Sequence, residues 1–288
     1  MSVASPTLRE ILDKCTRFLT EKRVDSPRLS AELLVAEALG GSRLDLFLDL
    51  DKPLREPELA RIRPLLVRRG SGEPMAYILG RREFYGLDFH VSPEVLIPRP
   101  DTELGIERAL TMFSRDECFF FADVGTGSGA LATTLLTLFP YAHCIATDIS
   151  FGALRVAQNN LLRHRVGDRC LLVQGNLLGH LGPSRLDLIV ANLPYIGERN
   201  TASLSREVLD FEPHLALFGG ADGDELFVPF LEDVQRVVAP GGGLLMEVDP
   251  VQVPGVCHLL QWVFSRKTEI GVYKDLGGHE RYIQARFA

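Results

Sequence analysis

Apolar residues recur at helical spacing through the first quarter of the chain, then gather into short apolar runs separated by amphipathic stretches. Residues 8–19, beginning Leu8-Arg9-Glu10-Ile11-Leu12, have the periodicity of a half-buried helix. Ser26-Pro27 reads as a cap and first-turn proline for a second helix that stops near Gly40-Gly41. A third helix is expected over roughly 43–49 and a fourth over 57–69, which makes residues 1–75 a helical N-terminal domain. In residues 76–97, the aromatic content and central glycine of Glu83-Phe84-Tyr85-Gly86-Leu87-Asp88-Phe89-His90-Val91 predict a β-hairpin connector. Pro93, Pro98 and Pro100 stiffen the passage into a second domain over 98–288. There, strand-like runs at 119–124, 142–147, 170–173, 186–191, 243–248, 269–273 and 282–287 alternate with helical stretches. Such alternation predicts an α/β fold, a doubly wound and largely parallel sheet with helices on both faces.

Composition narrows the class. A chain of 288 residues with 46% hydrophobic content is long enough for one large domain and a small one. The net charge is −7, with the acidic excess in the second domain, which argues against a large nucleic-acid footprint. Cys15, Cys118, Cys144, Cys170 and Cys257 include no Cys-x-x-Cys pair and read as buried free thiols of a reducing compartment. The seven histidines are dispersed, so no metal site is expected. No signal peptide or bilayer-length apolar run is evident, and the expected location is cytoplasmic.

Two motifs carry candidate chemistry. Asp123-Val124-Gly125-Thr126-Gly127-Ser128-Gly129 follows a buried strand and leads into a helix, as a turn that lets a ligand approach the backbone. The G-x-G-x-G spacing, the preceding Asp123 and a downstream acid, Asp148, together favour S-adenosylmethionine over NAD. Asp148 is placed either to bond the ribose hydroxyls or to cap the helix near Phe151, a role open equally to Ser150. Asn176 and Leu177, after the next strand, either flank an adenine ring or form a plain loop. Asn192-Leu193-Pro194-Tyr195 then ends the following strand. Its side-chain oxygen and the next carbonyl can accept the hydrogens of a planar NH2 group, with Tyr195 as a flat face beside it. All these positions fall at carboxyl ends of strands, where open α/β sheets bind ligands.

With these residues in view, the chain resembles the HemK/PrmC protein-glutamine N5-methyltransferases over nearly its whole length. The resemblance runs through Gly72-Glu73-Pro74-Met75-Ala76-Tyr77-Ile78-Leu79-Gly80, Glu83-Phe84-Tyr85-Gly86 and Val95-Leu96-Ile97-Pro98-Arg99-Pro100-Asp101-Thr102-Glu103. It continues through the glycine loop, the tetrad, Phe211-Glu212-Pro213-His214-Leu215-Ala216-Leu217, Gly219-Gly220-Ala221-Asp222-Gly223 and Lys274-Asp275-Leu276-Gly277-Gly278. It implies a class I, Rossmann-like methyltransferase domain with a seven-stranded sheet and an antiparallel edge. It also implies S-adenosylmethionine as methyl donor, bound by Asp123, Gly125, Thr126, Gly127, Ser128, Gly129, Asp148, Asn176, Leu177 and Asn192. The implied substrate is the glutamine of the Gly-Gly-Gln loop in class-1 peptide release factors, handled by Asn192, Leu193, Pro194 and Tyr195. A monomer with no stable nucleic-acid binding is expected.

Two departures from the family pattern bear on this reading. Position 193 is leucine where the family has proline, which frees its φ, although Pro194 still biases residue 193 toward extended backbone. Asn-Leu-Pro-Tyr also resembles the tetrad of RNA adenine-N6 dimethyltransferases, so a nucleic-acid substrate and a catalytically idle binding protein both stay open here. Asp249 stands where the family usually has glycine. Arg61, Arg63, Arg68, Arg69, Arg81 and Arg82 read either as a patch for an acidic partner or as a solvated helix face. Arg99 and Glu103 read either as support for the pocket or as an interdomain ion pair.

Overall fold

A computed structural model describes residues 5–183, 185–201, 204–264 and 268–288. Contacts divide the chain into two units, one running to Gly80 and including Ser205–Phe211, the other made of Arg81–Leu204 and Glu212–Ala288.

The first unit holds α1 (Leu8–Glu21), α2 (Pro27–Leu39), α3 (Arg43–Leu48), α4 (Glu56–Gly70) and the short α5 (Met75–Leu79), joined by a distant segment, Arg206–Phe211. Leu8, Leu12, Cys15 and Leu19 form one stripe of α1 and pack with Ala31 and Val35 of α2, Leu46 of α3 and Ile62 of α4. Burying each leucine, isoleucine or valine among them contributes about 1.5–3 kcal/mol. Thr7 with Glu10, and Ser42 with Asp45, close capping boxes on α1 and α3. Ser26 does not cap α2. Its φ of 48° is left-handed and its side chain makes no capping bond, so Pro27 alone marks the start. Three arginines of the basic stretch are held by carboxylates of their own unit: Arg63 by Glu56, Arg68 by Glu73 and the buried Arg69 by Glu207. The exposed pairs of Arg63 and Arg68 fit the solvated-face reading, whereas Arg69 is buried and is not part of such a face.

The second unit opens with a hairpin, β1 (Arg81–Phe84) and β2 (Leu87–His90), turning at Tyr85-Gly86 with φ of 50° and 74°. Two successive left-handed residues suit the twist of a tight hairpin. Next come α6 (Glu103–Met112), β3 (Phe120–Val124), α7 (Ala130–Leu138), β4 (His143–Asp148), α8 (Phe151–Arg163), β5 (Cys170–Gln174) and β6 (Leu186–Asn192). Counting Arg206–Phe211 as α9, the chain continues through α10 (Phe227–Val237), β7 (Val238–Glu247), α11 (Val253–Phe264), β8 (Glu269–Lys274) and β9 (Glu280–Arg286). The seven-stranded sheet has the order β5-β4-β3-β6-β7-β9-β8. Its first five strands are parallel, and β9 pairs antiparallel with both β7 and β8. This is the doubly wound sheet with an antiparallel edge expected from the sequence.

Apolar clusters fill both faces of the sheet. Phe119, Phe121, Leu135, Phe139 and Leu188 lie in one, and Ile189, Leu244, Met246, Phe230 and Val234 in the other. A strand sandwiched this way reads as a nearly continuous hydrophobic run, which is why β3 and β6 were visible in the sequence. The cysteines divide unevenly: Cys15 and Cys144 are buried, Cys170 and Cys257 half-buried, and Cys118 is exposed, contrary to expectation. Among the described residues, no helix is long and apolar enough to cross a membrane.

Candidate active site

A cavity of about 540 Å³ opens at the carboxyl ends of β3, β4, β5 and β6, wholly within the second unit. Asp123, Gly125, Thr126, Gly127, Ser128, Asp148, Asn176, Leu177, Asn192, Leu193 and Pro194 all line it. Of the residues singled out in the sequence, Gly129 and Tyr195 do not line it.

Gly125, Gly127 and Gly129 have φ of 71°, 55° and 77°, a conformation that side chains with a Cβ rarely adopt. The amides of Gly125 and Thr126 donate to the Thr147 carbonyl at 2.9 Å, tying the loop to β4. Asp123 sits beneath it. One carboxylate oxygen accepts from the Thr126 hydroxyl at 2.7 Å and from the Ala132 amide at 3.1 Å. Burial nevertheless pushes Asp123 up to about 6. Gly129 is the left-handed residue before α7, packed against Ala157 of α8. Asn160, also on α8 and fully buried, secures the loop from behind. Its Nδ2 donates to the Ser128 carbonyl at 2.8 Å and the His90 carbonyl at 2.9 Å, while its Oδ1 accepts from the His90 amide at 2.7 Å.

Asp148 lines the cavity and accepts from two amides, Gly127 at 2.9 Å and Ser150 at 2.8 Å. The cap on α8 is Ser150, whose hydroxyl accepts from the Ala153 amide at 3.2 Å. Asp148 is therefore a loop and cavity residue and not the helix cap. Its partial burial raises it above the usual carboxylate range. Leu177 has a φ of 50°, costly for a leucine, and its carbonyl accepts from the Thr147 hydroxyl at 3.2 Å. Asn176 stands beside it on the cavity wall.

The tetrad is held by Glu247 and Thr102, which lie far from it in sequence. Asn192 and Glu247 are register partners on β6 and β7, so their side chains share one face. Asn192 Nδ2 donates to Glu247 Oε2 and to Thr102 Oγ1, both at 3.1 Å. The Thr102 hydroxyl in turn donates to Glu247 Oε2 at 2.6 Å, and the Tyr195 hydroxyl donates to Glu247 Oε1 at 3.3 Å. Both neighbours of the Asn192 nitrogen are thus acceptors, which fixes the sense of its amide. Among the described residues nothing donates to Oδ1, which is left to serve the cavity that Asn192 lines. Glu247 is 2% exposed, and burial pushes it up to about 7. Burial and the neighbouring Glu247 charge also raise Tyr195. The available signal for Glu247 was one acidic residue inside the apolar run Leu244-Leu245-Met246-Glu247-Val248.

Both departures from the family pattern now have a physical account. Leu193 is 3% exposed and joins the core cluster of Ile189 and Phe227, with its tip near the Gly125 backbone. Asp249 accepts from the Val251 amide at 3.0 Å and lies 4.0 Å from Arg281. The turn it closes presents Gln252, whose side-chain nitrogen donates to the Tyr195 carbonyl at 2.9 Å and the Gly223 carbonyl at 3.0 Å. A Cβ on Gly219 would run into the Pro194 carbonyl, and one on Gly223 into the Tyr195 carbonyl. These glycines let the following loop lie flush on the tetrad backbone. Arg99 pairs with Glu212 at 2.6 Å, and Glu212 also accepts from the Ile97 amide at 3.1 Å. Glu103 is separate from that pair, accepting from the Tyr85 amide at 3.0 Å. Arg99 and Glu212 both belong to the second unit, so theirs is a pair within one unit.

Comparison with known proteins agrees with this architecture. The PrmC N-terminal domain model matches residues 10–80, and the methyltransferase small domain model matches residues 109–211. A release factor glutamine methyltransferase from Geobacter sulfurreducens is 42% identical over 277 residues, covering 94% of this chain and 96% of its own. One from Nitratidesulfovibrio vulgaris is 40% identical over 286 residues, covering 99% and 97%. The crystal structure of a methyltransferase from Pyrococcus furiosus shares the fold, with a TM-score of 0.52 at 17% identity over 78% of this chain and 96% of that one. Near-complete coverage at this identity, on a sheet whose glycine loop and tetrad face one cavity, shows that the chain belongs to the release factor glutamine methyltransferase family.

Proposed function

We propose that this enzyme transfers a methyl group from S-adenosylmethionine to the side-chain amide nitrogen of the glutamine in the Gly-Gly-Gln loop of class-1 peptide release factors. The observation that carries the reading is the oriented Asn192 amide, with its nitrogen engaged by Thr102 and Glu247 and its oxygen left to the cavity. A glutamine NH2 needs acceptors, and Asn192 Oδ1 with the Leu193 carbonyl supplies two of them.

The cavity suits the donor on chemical grounds. Glu94, Asp123, Asp148 and Glu225 put carboxylates around its wall, and Arg99 is the cationic side chain among its lining residues. A sulfonium cation is favoured there. Asp148 would take the ribose hydroxyls, the glycine loop would pass close to the amino-acid portion, and Asn176 and Leu177 would flank the adenine. Bound there, the donor supplies an electrophilic methyl group for in-line displacement. The protein's own contribution is to hold the amide nitrogen in place, an effect of proximity and orientation. It also aims carbonyl dipoles at the positive charge that develops on that nitrogen. The helical unit is proposed to recognise the protein around the glutamine. Five unpaired thiols suit a reducing cytoplasm.

Replacing Asp148 with alanine is expected to weaken S-adenosylmethionine binding about 10- to 100-fold, the scale of a hydrogen bond to a charged group. Calorimetric titration reads this directly, and an unchanged dissociation constant would confine Asp148 to holding the loop. The function itself is tested by transfer of labelled methyl to a recombinant class-1 release factor, with a Gln→Ala variant of its Gly-Gly-Gln tip as control. Label is expected on the intact factor alone. Equal labelling of both, or of neither, would overturn the reading. Apart from Leu193, whose side chain is buried in the core, no feature of the described site favours an adenine substrate or an idle binding role.

A further inference from the structure

We propose that Glu247 is a positioning residue for methyl transfer: its buried carboxylate holds the Asn192 amide by its N–H and stabilises, through Asn192, the charge that forms on the substrate nitrogen. This rests on the glutamine reading above and adds to it the residue that gives the tetrad its electrostatic bias.

Geometry carries the argument. Glu247 accepts from three donors, Asn192 and Thr102 at Oε2 and Tyr195 at Oε1, and all three distances lie between 2.6 and 3.3 Å. Two of those donors belong to the tetrad, so one carboxylate fixes both the acceptor and the aromatic face. A carboxylate at this depth costs free energy, and it is kept here by donors from Asn192, Thr102 and Tyr195 on its own face of β7. Its effect on Asn192 is directional. Donation from Nδ2 to an anion shifts electron density within the amide toward Oδ1, which strengthens the acceptor facing the cavity.

During transfer, the lone pair of the amide nitrogen forms the new N–C bond. The S–C bonding pair returns to sulfur, which becomes a neutral thioether. Positive charge passes to the nitrogen until its proton leaves to water. A negative charge behind Asn192 therefore stabilises the transition state more than the neutral ground-state amide, as differential stabilisation requires. Protonating Glu247 removes that charge. The groups facing it are Thr102 and Asp101 ahead of α6, Tyr195 after β6, and Tyr282 and Arg281 on β9. Arg281 is shared with Asp101, Asp249 and Asp275, so it does not neutralise Glu247 alone. Burial places the titration at about 7, within the range of an ordinary assay.

The test measures kcat on a release factor at saturating S-adenosylmethionine from pH 5.5 to 9. Wild-type kcat is expected to fall toward a floor as pH drops through about 7. Glu247→Gln, which keeps the shape and one acceptor oxygen but not the charge, is expected to be about 10- to 100-fold slower at pH 8.5 and flat across that range. Its cofactor dissociation constant should stay within about threefold of wild type. Thr102→Val should share the loss by leaving an Asn192 N–H unpaired, and Thr102→Ser should restore it. A Glu247→Gln enzyme with wild-type kcat and the same acid limb would overturn the proposal while the glutamine reading stands. Absence of label from wild type would sink the glutamine reading and this inference with it.

Discussion

Asn192→Ala is expected to lower kcat by about 10²–10³, or roughly 2.7–4 kcal/mol, the scale seen when an oriented electrostatic partner is removed from a reacting centre. Two losses combine in this one change. The acceptor for a substrate N–H disappears, and Glu247 loses the amide that relays its charge toward the cavity. Cofactor affinity should fall only modestly, because the glycine loop is held by Thr147, Asp123 and Asn160 and not by Asn192. Single-turnover kinetics at saturating donor, with donor affinity measured separately, distinguish the two effects. Near-normal turnover would remove Asn192 from the chemistry. A collapse of donor affinity with turnover intact would assign it to the cofactor instead.

The second large effect concerns stability. Glu247 ionises in the folded protein at about 7 against 4.5 in the unfolded chain, because burial penalises the charged form. Below about 4.5 the carboxyl is neutral in both states and no penalty applies. Between 4.5 and 7 the unfolded chain ionises first and binds fewer protons, so stability declines as pH rises. Above 7 the whole penalty is present, about 3 kcal/mol. Glu247→Gln should therefore melt higher than wild type at pH 8, by roughly 5 °C. The gain should shrink toward pH 5. Asp123, raised to about 6, adds a decline of the same sign in wild type and variant alike. A melting difference independent of pH would show that Glu247 does not titrate in this window. Together with slower turnover, the stabilised variant would show a carboxylate kept for activity at the expense of stability.

The fold was largely legible because its parallel strands are buried on both faces and appear as apolar runs of strand length. The main boundary error lies at β7, which begins at Val238 although Pro240-Gly241-Gly242 looks like a turn. The glycine loop and tetrad were legible for a related reason, since glycine, proline and asparagine advertise special backbone. What stayed hidden acts across long separations. Glu247 lies 55 residues from Asn192, and Thr102 lies 90 away. Only the register of β6 against β7, and the turn ahead of α6, brings them together. Leu177 gave no sign of its left-handed backbone, because leucine seldom adopts one. Ser26 failed in the opposite way. Its residue type fits a cap, but its backbone puts the hydroxyl out of use.

Asn160 has a consequence for how this chain can be recombined. Three of its bonds reach two separate stretches, the end of the hairpin at His90 and the loop at Ser128, while the asparagine belongs to neither. Hairpin, glycine loop and α8 thus behave as a single exchangeable part, although they are scattered over some seventy positions of sequence. A chimaera joined between residues 90 and 128 would import one half of that part without the other. Its fitness would depend on whether both parents keep an amide at the position of Asn160, which makes this buried side chain the place to look before choosing a crossover.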